Sequence, residues 1–170
     1  MRSLSTWETV EHEEEDTQRD KYLIFSLDHQ HYGIDIQNVT EIIGIQPIAA
    51  VPELPTYIKG IINLRGTVIP VMDIRLRFGM EPKAYHDRTC IIVVECEDTI
   101  MGLIVDRVSE VISIPGENVI SAQDGGFEGG GYVTGVGKSA GGGMKMLVSC
   151  SKLLDGEYMP QNRRTGENGV

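Results

Sequence analysis

One stretch of the sequence occurs twice, and this internal repeat limits what the chain can fold into. The segment "YLIFSLDHQHYGIDIQNVTEII", which starts at Tyr22, aligns without gaps with "IIVVECEDTIMGLIVDRVSEVI", which starts at Ile91. Gly33 falls on Gly102, and the spacing of 69 residues is constant along the segment. Chance similarity between two β segments explains this poorly, because the agreement runs across a turn glycine into a shared Val-x-Glu. The repeat therefore predicts one small structural unit built twice.

Each copy has the pattern of short strands followed by a short helix. Isoleucine and valine are abundant and aromatic residues are few, which favours β-branched packing in strands. Further along, "YIKGI" at Tyr57 matches "YVTGV" at Tyr132, now at a spacing of 75 residues. The segment "DIRLRFGM" predicts a short helix that Asp73 caps and that Gly79 ends in a left-handed conformation.

The segment "YIKGIINLRGTVIPVMD" predicts two strands joined at Arg65 and Gly66. Pro70 lies inside the second of these strands. Because proline has no N–H to donate to a neighbouring strand, we expect an edge or a bulge at this position.

A glycine-rich segment, "GYVTGVGKSAGGG" from Gly131 to Gly143, resembles a phosphate-binding loop. The strict pattern requires glycine five residues before Gly137, where Tyr132 stands, and a helix after the lysine. The residues after Lys138 begin with glycines and continue as a strand pattern, and the repeat aligns the segment with a strand, a turn and a second strand. We therefore expect no nucleotide site here, and the density of glycine predicts a mobile loop.

The charge of the chain is unevenly distributed and strongly acidic. The net charge is −10, and the first 20 residues carry a large share of it without any apolar periodicity. We predict that residues 1–20 form a disordered acidic tail and that residues 159–170 form a flexible C-terminal tail. Outside the tail the body remains acidic, which argues against nucleic acid as a partner.

Three cysteines and the absence of apolar runs indicate the compartment. Cys90 and Cys96 are separated by roughly 20 Å in one extended strand, so they do not bridge each other. An odd cysteine count without a framework, including Cys150, is typical of a reducing compartment. We also expect no signal peptide and no membrane span, because the N-terminal residues include no apolar h-region and no apolar run approaches the length of a span. The prediction is a cytoplasmic protein.

No combination of residues predicts catalysis, a metal or a cofactor. His29 and His31 share one face of an extended segment, but they lie in a predicted hairpin turn where solvated histidines are common. Asp73, Asp106 and Glu110 have no spacing that implies acid–base chemistry. We therefore expect no enzyme activity, no metal site and no cofactor.

The segments "HYGIDIQNVTEI", "YIKGIINLRGTVIPVMDIRLRFG", "GLIVDRVSEVISI" and "YVTGVG" resemble the CheW family of bacterial chemotaxis proteins. The resemblance covers residues 21–157. It implies an all-β fold in which two SH3-like five-stranded barrels pack side by side, each with a short helix. The implied domain spans about 21–158, with a first barrel at about 21–84 and a second at about 85–158, and the barrels can exchange strands.

The resemblance also implies a function. Proteins of this family are non-enzymatic adaptors that couple the cytoplasmic tips of chemoreceptors to the regulatory domain of the histidine kinase CheA in signalling arrays. The chain has no room for a kinase domain or a receiver domain, which favours a free-standing adaptor over the related regions of CheA and CheV. Its expected location is the cytoplasm, with recruitment to membrane receptor arrays.

The resemblance assigns partner binding to seven positions: Val39, Glu41, Ile42, Gly60, Arg65, Val105 and Val108. A receptor helix docks by laying an apolar stripe into an apolar groove, which the valines are suited to line. The planar guanidinium of Arg65 at a hairpin tip suits a carboxylate of a partner, and Glu41 offers a charge of opposite sign. The valines are equally compatible with barrel core, because strand valines are usually buried.

A second class of function stays open at this point. Small β-barrels also bind single-stranded nucleic acid, through a basic groove with aromatic side chains on which bases stack. The acidic body and the low aromatic content of 6% both disfavour this alternative.

Overall fold

The computed structural model describes residues 18–127 and 131–155. The predicted acidic tail, apart from its last three residues, and the predicted C-terminal tail lie outside these ranges. The described chain forms eleven β-strands and three short α-helices. It is therefore an all-β protein with few helical residues, as the sequence predicts.

The first copy of the repeat contributes five strands and one helix. They are β1 (Lys21–Leu27), β2 (Gln30–Asp35), β3 (Val39–Gly44), β4 (Ile58–Leu64), β5 (Thr67–Asp73) and α1 (Ile74–Arg77). The helix begins as predicted, because the Asp73 side chain accepts a hydrogen bond from the backbone N–H of Leu76. Gly79 follows it at a φ of 78°, in the predicted left-handed region.

The second copy contributes six strands and two helices. They are β6 (Cys90–Cys96), β7 (Thr99–Val105), β8 (Arg107–Ser113), β9 (Val119–Ser121), α2 (Ala122–Gly125), β10 (Val133–Lys138), β11 (Met144–Val148) and α3 (Cys150–Leu154). Strands β6 and β7 stand at the predicted offset from β1 and β2, and β10 stands at the predicted offset from β4. The predicted repeat is thus confirmed as a structural repeat.

The strands form two sheets, and each sheet combines both copies. One has six strands in the order β8-β1-β2-β11-β10-β9, and the other has five in the order β3-β6-β7-β5-β4. The first two strands of each copy lie in the sheet that holds the later strands of the other copy. The register is equivalent on both sides, since Phe25 pairs with Val108 and Val94 pairs with Val39. The two halves therefore exchange strands reciprocally.

In each sheet the two edge strands are consecutive in the chain. In the five-stranded sheet these edges are β3 and β4, and the segment between them contacts β4 through a bridge between Ala49 and Ile61. In the six-stranded sheet, β9 takes the place of that bridge and pairs with β10. The arrangement agrees with two SH3-like β subdomains, one of which carries an additional short strand.

The main hydrophobic core lies where the two sheets meet. Its fully buried side chains come from strands of both sheets and from the helices that follow β5 and β11: Phe25, Leu27, Ile34, Ile74, Ile92, Leu103 and Leu153. A smaller cluster fills the five-stranded sheet: Ile62, Ile69, Val71, Ile91, Val93 and Ile104. Full burial of one such side chain contributes roughly 1.5–3 kcal/mol. The shared core therefore holds the two sheets together.

The glycine-rich segment forms a hairpin. Lys138 ends β10, residues 139–143 turn, and β11 follows, so no helix follows the lysine as a phosphate-binding loop requires. The predicted strand–turn–strand is confirmed. The prediction of a mobile loop is wrong for residues 133–138, which are strand β10, because β9 and β11 pair with both sides of that strand. Residues 128–130 lie outside the described chain.

The expected edge at Pro70 is present locally, because β5 has one paired neighbour at this residue, although the strand as a whole is not an edge strand. Strand β5 lies inside its sheet, between β7 and β4. Its parallel pairing with β7 begins only at Val71, so Pro70 faces β4 alone through Ile61. The missing N–H is tolerated because no pairing with β7 is recorded at this residue.

Candidate partner-binding surface

Two of the predicted site residues form an ion pair on the surface. The guanidinium of Arg65 donates a hydrogen bond to the Glu41 carboxylate. The side chain of Arg65 is 68% exposed and that of Glu41 is 33% exposed. Because these residues are 24 positions apart in sequence, the fold brings them together. The arrangement leaves most of the guanidinium open to a partner.

The local backbone explains how Arg65 reaches this position. Arg65 and Gly66 form the two-residue turn between β4 and β5, with φ values of 51° and 89°. Two positive φ values fit the tight hairpin turn that matches strand twist. The Asn63 side chain accepts a hydrogen bond from the N–H of Gly66 at 2.8 Å, which fixes the turn. Arg65 is therefore held at the hairpin tip, as the sequence predicts.

The three predicted valines occupy different environments. Val39 and Val108 stand at equivalent positions of the repeat, and both are half-buried against the main core. Val105 is only 1% exposed and belongs to that core. Because Val105 is buried, it can support the surface but cannot contact a partner. Of the three valines, only Val39 and Val108 are exposed enough for direct contact.

Ile42 and Gly60 differ in the same way. The Ile42 side chain is 43% exposed, which is unusual for a large apolar residue and makes it available for contact. Gly60 is buried at a φ of 146°, and a Cβ there would lie 2.0 Å from the carbonyl oxygen of Ala49. Only glycine fits at this position, because the backbone of Ala49 approaches it so closely. Packing within the fold therefore explains why residue 60 is glycine.

A second group of charges, which the sequence reasoning missed, lies at the junction of the two sheets. The guanidinium of Arg75 donates to both carboxylate oxygens of Asp106, at 2.9 Å and 2.6 Å, and to the carboxylate of Asp28. Arg75 is nearly buried, at 6% exposure. Lys83 lies 3.5 Å from the Asp28 carboxylate at the open side. These residues are far apart in sequence, so no local spacing signals the group.

The charges of this group stabilise one another. The hydrogen bond from Arg75 is the largest cause that holds the pKa of Asp28 below its ordinary value. Burial raises the pKa of Asp106, but hydrogen bonds from Arg75 and from the N–H of Asp28 outweigh it and leave the pKa lowered. Both carboxylates are therefore ionised at neutral pH. Asp28 lies in the turn between β1 and β2 of the six-stranded sheet, whereas Arg75 follows β5 of the five-stranded sheet, so the group ties the two sheets together.

A third contact also joins the two copies of the repeat. The guanidinium carbon of Arg77 lies 4.4 Å from the ring centre of Tyr57 and 4.9 Å from that of Tyr132. These tyrosines are the equivalent residues of "YIKGI" and "YVTGV". Cation–π contacts of this kind contribute about 0.5–2 kcal/mol each. Arg77 thus bridges equivalent tyrosines of the two copies.

The described residues contain neither a group of metal-binding side chains nor a helix that could span a membrane. Within residues 18–127 and 131–155, no three His, Cys, Asp or Glu side chains are grouped as metal ligands would be. None of the helices in those ranges has the length and apolar character needed to cross a membrane.

The five-stranded and six-stranded sheets, packed on one shared core, define an all-β protein of two SH3-like subdomains. The CheW-like domain family matches residues 21–157. The chemotaxis protein CheW of Klebsiella aerogenes is 36% identical over 140 residues, which cover 82% of this chain and 84% of that protein. A probable chemotaxis protein CheW of Rhizobium etli is 40% identical over 101 residues, covering 59% of this chain and 65% of that protein.

A solved structure shows the same fold. The crystal structure of the scaffolding protein TtCheW from Thermoanaerobacter tengcongensis superposes with a TM-score of 0.72 at 32% identity, covering 84% of this chain and 97% of that one. The chain belongs to the CheW-like family of chemotaxis proteins, which are scaffolds rather than enzymes. The family resemblance inferred from the sequence motifs is confirmed.

Proposed function

We propose that this protein is a chemotaxis adaptor that couples the cytoplasmic tips of chemoreceptors to the histidine kinase CheA. In this proposal the adaptor domain spans about residues 21–158 and works in the cytoplasm at membrane receptor arrays. Family membership over residues 21–157 supports the chemotaxis role. The observation that carries the residue-level proposal is the exposed guanidinium of Arg65, held at a hairpin tip by Glu41.

The proposal gives the surface residues two physical roles. Arg65 contacts a carboxylate of a partner, because its fork of donors is largely free of protein contacts. Val39, Ile42 and Val108 supply apolar contact for a helix of the partner, since each retains some exposure. Val105 and Gly60 act indirectly, through core packing and through the backbone contact with Ala49.

The first experiment tests partner binding. The purified protein is mixed with the regulatory domain of CheA from the same organism, with and without a receptor fragment, and retention is measured by pull-down. The expected result is retention of both partners in one complex. Absence of binding to CheA and to the receptor fragment would overturn the adaptor proposal.

The second experiment tests Arg65 by charge reversal. Arg65→Glu is expected to weaken receptor-dependent activation of CheA about tenfold, because a lost charge-assisted contact costs about 1.5 kcal/mol. The melting temperature should be almost unchanged, since an exposed ion pair contributes about 0–1 kcal/mol. The matched control is Arg88→Glu, an equal charge change at an exposed residue outside this surface.

A charge swap separates contact of Arg65 with the partner from its part in the ion pair with Glu41. The double variant Glu41→Arg with Arg65→Glu restores the ion pair but removes the positive charge from the hairpin tip. Direct contact predicts that activation stays low in the swap. Full recovery would show that Arg65 acts only through the ion pair between the two positions, and an unchanged activity of Arg65→Glu would rule out the site.

A further inference from the structure

Two of the three cysteines lie together, although they are distant in sequence. Cys96 is the last residue of β6 and Cys150 is the first residue of α3, which packs against that strand. Cys150 belongs to the main core cluster, and the partly buried Cys96 packs against it. Their thiols are close enough for a hydrogen bond between them to influence both pKa values. Cys90 lies at the opposite end of β6, where its thiol faces the carbonyl oxygen of Arg88.

The pair also lines a cavity of about 470 Å³. Exposed residues form part of the same lining, among them Asp35, Glu97 and Ser151, so the cavity opens toward the surface. Cys96 is half-buried and Cys150 is buried. Cys96 is therefore the more accessible of the two cysteines to a small solute.

We propose that Cys96 and Cys150 form a reversible oxidation site, in which a hydroperoxide converts the two thiols into a disulfide. The Cys96 sulfur attacks one peroxide oxygen, the O–O bond breaks, and a sulfenic acid forms as an alcohol or water leaves. The Cys150 sulfur then attacks the sulfenic sulfur, and the S–O bond breaks with release of water. Both thiol protons end on the departing oxygens. The thiols lose two electrons and the peroxide gains them.

The surroundings of the two thiols determine how fast they are oxidised and in which oxidation state they rest. Burial is the largest cause that raises the pKa of both thiols, and it brings the pKa of Cys150 to about 12. The thiolate is the reactive form, so oxidation is slower than at an exposed cysteine. In a reducing compartment the pair rests as two thiols and responds to sustained exposure to peroxide.

The disulfide would connect the two sheets covalently. Cys96 ends a strand of the five-stranded sheet, whereas Cys150 follows β11 of the six-stranded sheet. The bond would also fix α3 against β6. The proposed modification therefore acts on the junction between the two sheets.

The test uses the full chain carrying Cys90→Ser. This background is needed because Cys90 and Cys96 share one tryptic peptide between Arg88 and Arg107. The protein is treated with excess hydrogen peroxide, denatured, alkylated and analysed by mass spectrometry. The expected result is loss of both remaining thiols, a linked pair of peptides containing Cys96 and Cys150, and recovery of both thiols with dithiothreitol.

Single variants provide the controls. In Cys96→Ser, the Cys150 thiol should survive the same treatment, because no partner remains. Cys150→Ala keeps an apolar side chain at the buried position, and there dimedone should trap a sulfenic acid on Cys96. Three results in the Cys90→Ser protein would each overturn the proposal. They are disulfide-linked dimers, sulfinic acid on Cys96 beside a free Cys150, and two intact thiols.

Discussion

At the residue scale, close backbone contact decides which side chain is possible. A Cβ on Gly60 would lie 2.0 Å from the Ala49 carbonyl oxygen, and a Cβ on the equivalent Gly135 would lie 2.9 Å from that of Ile120. Both distances are shorter than a carbon–oxygen contact permits. The two glycines thus let β4 and β10 approach the segments that close their sheets, at the same place in both copies.

Gly60→Ala is expected to destabilise the protein by at least about 2 kcal/mol, because the methyl group meets a backbone atom that has no room to move. Urea unfolding followed by circular dichroism measures the effect. Gly44→Ala is the matched control, since nothing lies within 4 Å of the added Cβ and the backbone there is not left-handed. Equal stability of the two variants would contradict this explanation.

At the element scale, short connections carry the charges that join the sheets. The turn after β1 supplies Asp28, the residue between β7 and β8 supplies Asp106, and α1 supplies Arg75. Asp106 accepts hydrogen bonds from the Arg75 side chain and from the backbone N–H of Asp28 at 2.8 Å. A buried cation with two carboxylates is stable only while the carboxylates remain ionised.

This arrangement predicts a stability that falls in acid. The folded-state pKa of Asp106 lies below its unfolded value of about 3.9, so its contribution is complete above that value and is lost as the pH falls through the folded pKa. At pH 7, Asp106→Asn should therefore lower the unfolding free energy by about 2 kcal/mol. The difference in unfolding free energy between the wild type and Asp106→Asn should become smaller below about pH 4.

Unfolding by urea at several pH values between 7 and 3 checks this expectation. Asp87→Asn is the control, because the Asp87 side chain is almost fully exposed. A difference between wild type and Asp106→Asn that is constant with pH would show that Asp106 stabilises the fold by packing rather than by charge.

At the scale of the whole molecule, the exchange of strands makes each half depend on the other. The six-stranded sheet needs β1 and β2 from the first copy, and the five-stranded sheet needs β6 and β7 from the second. The main core is formed by residues of both. Neither half of the sequence contains a complete sheet in the arrangement observed.

Fragments 1–84 and 85–170 are therefore expected to be unfolded when expressed separately and to fold when mixed. The cut lies in an exposed linker and interrupts no strand. Near-ultraviolet circular dichroism and thermal melting of each fragment, of the mixture and of the intact chain measure the outcome. A cooperative melt of either fragment alone would show that a copy closes its own sheet.

Local features of the fold were predictable because their causes lie within a few residues. Neighbouring residues alone determine the turn at Arg65 and Gly66, the cap at Asp73 and the short helix that follows it. The family motifs also indicated the CheW-like fold. The proposed partner-binding residues stay a prediction, although the meeting of Arg65 with Glu41 gives two of them a common location.

The sequence by itself determined that one β unit occurs twice, where its strands and turns lie, and that the chain belongs among chemotaxis scaffolds. Only the tertiary structure decided which copy each strand joins and which distant side chains meet, as Arg75 meets Asp106 and Cys96 meets Cys150. The physical reason is that equivalent strands of the two copies carry the same apolar pattern, so either pairing buries similar surface. Contacts between sheets therefore select the arrangement.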